Sequence, residues 1–67
     1  MSVYKVIELV GTSSTSWEDA AVIAVKKAGQ TLRDLRVAEV VQQDLDIAGD
    51  EVLFRTKLSI SFKYQAD

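Results

Sequence analysis

Apolar and polar side chains change rhythm twice along this chain. They alternate over Val3–Val10, recur at three- and four-residue steps from Trp17 to about Leu35, and alternate again over residues 36–47 and 51–64. Period two marks a strand and period 3.6 an amphipathic helix, so the order β-α-β-β is predicted. In the first strand Val3, Lys5, Ile7 and Leu9 share one face and Tyr4, Val6, Glu8 and Val10 the other. Large apolar groups lie on both faces, so neither is simply solvated. A second packing surface is implied.

The run Gly11-Thr12-Ser13-Ser14-Thr15-Ser16 is expected to break that strand, because hydroxyl side chains compete for backbone hydrogen bonds and favour caps and turns. Thr15 as N-cap with Glu18 fits a capping box, and Ser16 with Asp19 is the alternative register. Ala21, Ala24, Val25, Ala28, Leu32 and Leu35 form the apolar stripe of the helix, with Lys26, Lys27, Gln30 and Arg33 opposite. Small alanines on that stripe let the helix come close to a sheet. The second strand slips out of alternation at Val40-Val41, where a bulge or change of face is expected. Ala48-Gly49-Asp50 is the turn into the third strand. There Phe54, Thr56, Leu58, Ile60, Phe62 and Tyr64 point one way, and Leu53, Arg55, Lys57, Ser59, Ser61 and Lys63 the other. The fold class is α+β: a three-stranded antiparallel sheet wrapped around one helix, in one domain over 1–67. A fourteen-residue strand spans roughly 46 Å and a nineteen-residue helix only ~28 Å. One helix cannot cover that hairpin, so part of the sheet and both its edges are left for another chain.

Composition sharpens this. A folded chain of 67 residues removes only ~60% of its unfolded surface from water, which leaves its stability marginal and in need of extra support. Cysteine and histidine are both absent, which excludes disulfides, zinc–thiolate and iron–sulfur sites, and the commonest general base. Association between chains is the leading route to stability. The formal charge of −2 argues against nucleic acid as a partner. No stretch is apolar enough to span a membrane, and Lys5 and Glu8 interrupt any signal-like N-terminus, so the cytoplasm is the default location.

Little in the chain points to chemistry. Serines and threonines at 12–16 have no His or Cys to activate them and no nucleophile elbow around them. No enzyme motif is present, and the chain is not expected to be an enzyme. Only oxygen ligands are available to a metal. Asp44, Asp46 and Asp50 are spaced like the start of a calcium loop, but the downstream Glu is missing and the segment alternates like a strand. A calcium or magnesium site shared between subunits, using Glu18 and nearby hydroxyls such as Ser16, is the metal reading. Trp17, in the first helical turn, reads as a core or interface filler. Arg36, Arg55 and Lys57 form a modest basic patch, either paired with Glu39 and Asp44 or set to contact an anion.

Taken together, Tyr4-Lys5-Val6-Ile7-Glu8-Leu9-Val10-Gly11-Thr12-Ser13, Ala38-Glu39-Val40 and Phe54-Arg55-Thr56-Lys57-Leu58-Ser59-Ile60-Ser61-Phe62 resemble the dodecins over nearly the whole chain. The resemblance implies a hollow homododecamer of cubic-type symmetry whose curved sheets wrap their helices and face the interior. Typical members bind flavins such as FMN or riboflavin in pairs near symmetry axes. A Trp stacks on the isoalloxazine ring and a Gln on the third strand bonds its edge. Storage, buffering or quenching of free flavin, without turnover, is the implied role.

At those two positions this chain departs from the pattern. The Trp is replaced by Val37, directly before Ala38-Glu39-Val40, and the Gln by Arg55. Valine has no π face, and the stacking it forgoes is worth roughly 1–3 kcal/mol per ring. Arg55 puts a cation where a neutral amide would read a ring edge, and suits a carboxylate or phosphate instead. Flavin is therefore not the expected cargo. An altered small-ligand pocket around Arg36, Val37, Gln42 and Arg55 is expected, and the chain resembles the non-flavin, calcium-associated branch. The alternative is a calcium-binding or purely structural assembly with Ser16 and Glu18 near the metal.

Overall fold

A computed structural model describes residues 2–64. It contains β1 (Tyr4–Ser13), α1 (Trp17–Thr31), β2 (Leu35–Ala48) and β3 (Glu51–Lys63), the predicted order. All three strands join one antiparallel sheet in the spatial order β1-β3-β2. The long alternating β3 is thus the central strand, and β1 and β2 are the edges.

Helix α1 lies on the face carrying Thr56, Leu58 and Ile60, which are 0, 1 and 1% exposed. Ala20, Ala24 and Ala28 bury against them, and Ile7, Leu9, Val25, Leu32 and Leu35 close the cluster. Spacing by four keeps the alanines in line along one face of the helix. The stripe therefore begins one residue before the Ala21 expected from the sequence.

Gly11 does not break β1. The strand runs on to Ser13, with Gly11 opposite Thr56 and Ser13 opposite Phe54. Its role is close approach: a Cβ built on Gly11 would run into the backbone carbonyl of Ala20 and lie 3.0 Å from the Ala24 methyl. Of the two capping registers, Ser16 is the one adopted. Its extended backbone (φ −168°) leads into the helix and its Oγ accepts from the Asp19 amide at 2.9 Å. The Thr15 amide is already engaged, donating to Ser13 Oγ at 2.9 Å, and Ser13 Oγ in turn donates to Asp19 Oδ2 at 2.7 Å.

The helix ends at Thr31 rather than near Leu35. Leu32 turns extended while its amide still donates to the Ala28 carbonyl at 2.9 Å, and Asp34 takes left-handed backbone (φ 58°) to redirect the chain. Leu32 and Leu35 still pack on the core, one from the connection and one from the first position of β2. Helical spacing therefore continued in the sequence after the helix had ended.

In β2 the alternation slips where expected, with a register shift between Val40 and Gln42 and another between Leu35 and Val37. Val41 and Arg36 are the extra residues. Gly49 takes positive φ (62°) as the first of two turn residues, as a type II′ hairpin requires.

Fifteen helical residues give a rod of ~22 Å. The molecule is 50 Å long. Beyond the row Ser13–Phe54–Leu45 the hairpin continues with neither β1 nor α1 beside it, and Ile47 and Val52 stand 71 and 45% exposed.

Candidate functional site

The sheet face turned away from the helix is built by alternation. Glu8, Val10 and Thr12 of β1, Arg55, Lys57 and Ser59 of β3, and Glu39, Gln42 and Asp44 of β2 come together there by cross-strand register. In its middle is a cleft of about 270 Å³ lined by Val10, Gln42, Asp44, Arg55 and Lys57. Asp44 and Arg55 are direct cross-strand neighbours. The guanidinium grips the carboxylate with both prongs, Nε to Oδ1 at 2.7 Å and Nη2 to Oδ2 at 2.8 Å. Gln42 Nε2 donates to the same Oδ2 at 3.4 Å. Two hydrogen bonds from Arg55 hold the Asp44 carboxyl below its ordinary value, opposed by a smaller effect of burial, and the same pairing raises Arg55. Lys57, at the edge of the cleft, pairs with Glu8 of β1, Nζ to Oε1 at 3.5 Å. The basic patch is thus mostly self-neutralised. Its partners are Asp44 and Glu8, where Asp44 and Glu39 were expected.

Of the four predicted pocket residues, Gln42 and Arg55 meet in this cleft. Val37 lies opposite Ser61, six residues further along β3 and roughly 20 Å away, and Arg36 sits in the bulge beside it. Those two line a separate depression with Val25, Leu35, Ala38 and Ile60. One protomer therefore does not unite all four. From the sequence Asp44 is a charge partner for the basic patch or the start of a weak calcium-loop match; in the structure it pairs with Arg55 at the centre of the cleft. Counting back from the Ala48-Gly49-Asp50 turn places it opposite Arg55, and that was the available signal.

At the helix start Trp17 ties three elements together. Its indole Nε1 donates to the Asp44 carbonyl at 3.1 Å, its ring meets Phe54 edge-on at 5.1 Å, and its own carbonyl accepts from Thr56 Oγ1 at 2.9 Å. Ser16, half-buried, spends its Oγ on the cap, while Glu18 is exposed in the first turn. Oxygen donors of this kind suit calcium better than a transition metal. Among the described residues no three Asp or Glu side chains converge on a point, and Asp44, Asp46 and Asp50 do not form a loop site. A protomer offers Ser16 and Glu18 too few ligands for the six to eight oxygens calcium prefers. A full shell there requires other chains or water.

Finally, the helix leans over β1 and β3 and leaves the inner side of β2 open. Ala21, Val22 and Val25 face Ala38, Val40 and Leu58 across an apolar groove of about 330 Å³. Val40 and Leu45 are 49 and 43% exposed along it and beyond it. Among the described residues no helix is long and apolar enough to cross a membrane.

Comparison with known proteins agrees with this architecture. The sequence is 54% identical over 65 residues to the calcium dodecin of Mycobacterium tuberculosis, covering 94% of this chain and 90% of that one. The crystal structure of that organism's calcium dodecin, a calcium-chelating antigen with a novel calcium-binding site, superposes with a TM-score of 0.90 at 46% identity, covering 98 and 96% of the two chains. Dodecin from Streptomyces coelicolor superposes with a TM-score of 0.91 at 34% identity, over 98 and 96%. A sequence model of the Dodecin family matches residues 3–65, and with relatives this close in sequence and in fold the chain belongs to the dodecin family.

Proposed function

We propose that this chain assembles into a homododecameric shell that binds calcium rather than flavin and carries out no turnover. The observation that carries the assembly is the uncovered apolar surface: the groove between α1 and β2, and the projecting arm with Ile47 and Val52. At ~25 cal/mol per Å² such surface favours burial against a second copy, and the two edge strands offer unpaired backbone groups beside it. Support for calcium comes from the 54%-identical relative, which is named a calcium dodecin, and from a donor set limited to oxygen. In this reading Ser16 and Glu18 of symmetry-related protomers supply part of each coordination shell and water the rest. Bound calcium would neutralise carboxylates that assembly brings together.

Flavin is disfavoured by Val37, which has no ring to stack, and by the ionic Arg55–Asp44 contact where a neutral amide is expected. A second reading keeps a small organic ligand, in a pocket where Arg36 and Val37 of one protomer meet Gln42 and Arg55 of another. The cleft on the outer sheet face favours it.

Native mass spectrometry and calcium-dependent melting test the proposal together. Twelve protomers with retained calcium, and a melting midpoint that falls on adding chelator, are expected. A ligand at 100 times its Kd stabilises by ~2.7 kcal/mol, which a melt resolves readily. A monomer or dimer would remove the shell. Equal midpoints with calcium and with chelator would remove the metal and leave the small-ligand reading, which titration of flavin and of small anions then addresses.

A further inference from the structure

The outer-face cleft has the form of an occupied oxyanion site. A planar fork, Arg55 Nε and Nη2, bonds both oxygens of a carboxylate at 2.7 and 2.8 Å, and an amide, Gln42 Nε2, adds a longer third contact at 3.4 Å. Val10 lines one side of the cleft and Lys57 supplies a second cation. This is how a protein holds a carboxylate or phosphate, with bidentate geometry giving selectivity as well as strength. Here the anion is the chain's own Asp44.

We propose that Asp44 is a built-in anion filling an oxyanion site formed by Arg55 and Gln42, so that it sets specificity by excluding small carboxylates and phosphates from the cleft. Two features fix Asp44 in that role. Cross-strand register places it directly opposite Arg55, and its backbone carbonyl is held by the Trp17 indole at 3.1 Å, which locks the strand position from the other face of the sheet. Carried on the facing strand, the internal anion is present in every molecule and must be displaced before a solute anion can take the fork. Glu8, across from Lys57 at 3.5 Å, keeps the second cation from recruiting an anion alone. The inference needs only one protomer's outer face and holds whether or not the shell carries calcium.

Trp17, the sole tryptophan, is bonded to residue 44 and reports on the cleft by its fluorescence. Wild type, D44N and D44A are titrated with inorganic phosphate and, separately, with acetate, at constant ionic strength. Asn keeps the shape of the side chain and removes its charge; Ala removes both. Wild type is expected to stay silent, while both variants bind at least one of the anions about threefold or more tightly, the scale set by release of a partly exposed ion pair. Phosphate alone, or acetate alone, would identify which oxyanion the fork prefers. Adding R55Q to D44N must abolish binding. The inference is overturned if D44N and D44A bind neither anion better than wild type, or if D44N/R55Q binds as well as D44N. Circular dichroism of each variant guards against unfolding, and native mass spectrometry separates a failure here from a failure to assemble.

Discussion

Adding one methyl group should act in opposite directions at two glycines. At Gly29, exposed on α1, the nearest atom to a new Cβ is Leu35 Cδ1 at 3.9 Å, an ordinary contact. G29A should stabilise by about 0.5–1 kcal/mol, the helix preference for alanine. At Gly11 the new Cβ meets the Ala20 carbonyl and stands 3.0 Å from Ala24. The obstacle is helix backbone, which cannot rotate away, and the helix start is fixed by Ser13, Trp17 and Thr56. Overpacking of this kind costs ~1–3 kcal/mol, and a backbone obstacle puts G11A at the upper end. For a domain of this size each kcal/mol moves Tm by ~4–8 °C, so a fall of more than about 10 °C is expected. Thermal melts at one fixed protein concentration measure both variants, because assembly makes Tm concentration-dependent. A G11A variant melting at or above wild type would refute the close approach of helix and strand, since alanine in an unobstructed strand would otherwise help.

Three further outcomes follow from the helix start and the outer face. S16A should lower stability by about 1 kcal/mol through loss of the cap to Asp19, whereas T15A should leave the melt nearly unchanged; equal effects would contradict the cap register. V37W/R55Q should recover roughly 1–3 kcal/mol of ring stacking and quench flavin emission. Because Val37 and Arg55 are far apart in one protomer, an assembled variant that leaves flavin emission unchanged would show that no neighbour unites them. Asp44 titrates below its ordinary value in the folded chain, so its contact with Arg55 favours folding at neutral pH. That contribution is lost as pH falls through the ordinary carboxylate range and below it. With both side chains partly exposed the effect is small, and D44N should flatten the acid limb of Tm against pH; identical limbs would exclude the linkage.

Much of this fold is legible in the residues because each element follows a single period. The clean alternation of β3 identified its buried face residue by residue, and the slip at Val40-Val41 marked a real bulge. Where two causes gave the same pattern, the sequence misled. Leu32 and Leu35 continue the helical spacing although a left-handed residue between them has already turned the chain. Gly11 before a run of hydroxyls reads as a turn, but it is small because a helix passes over it, a long-range fact no local pattern contains. The cleft was half visible. Arg55 and Gln42 were identified, and Asp44 is missed by periodicity yet found by counting from the hairpin turn. Arg36 and Val37 lie at the other end of β2, in a depression of their own, because the strand is long and its local pattern carries no measure of distance from Gln42 and Arg55.

The strand at the centre of the sheet is the last of the three along the chain. Neither edge strand can pair with the other, so on a ribosome β1 and α1 emerge able to pack only on one another, with no strand to pair, and even β2 brings none. Productive pairing waits for β3, which then engages both neighbours within moments. The nucleus is expected to be the β2–β3 hairpin, a local closure across a two-residue turn, with β1 added by a long loop. Nascent chains stalled before β3 should be protease-sensitive throughout and prone to join one another, since their apolar edges have the same unmet partner.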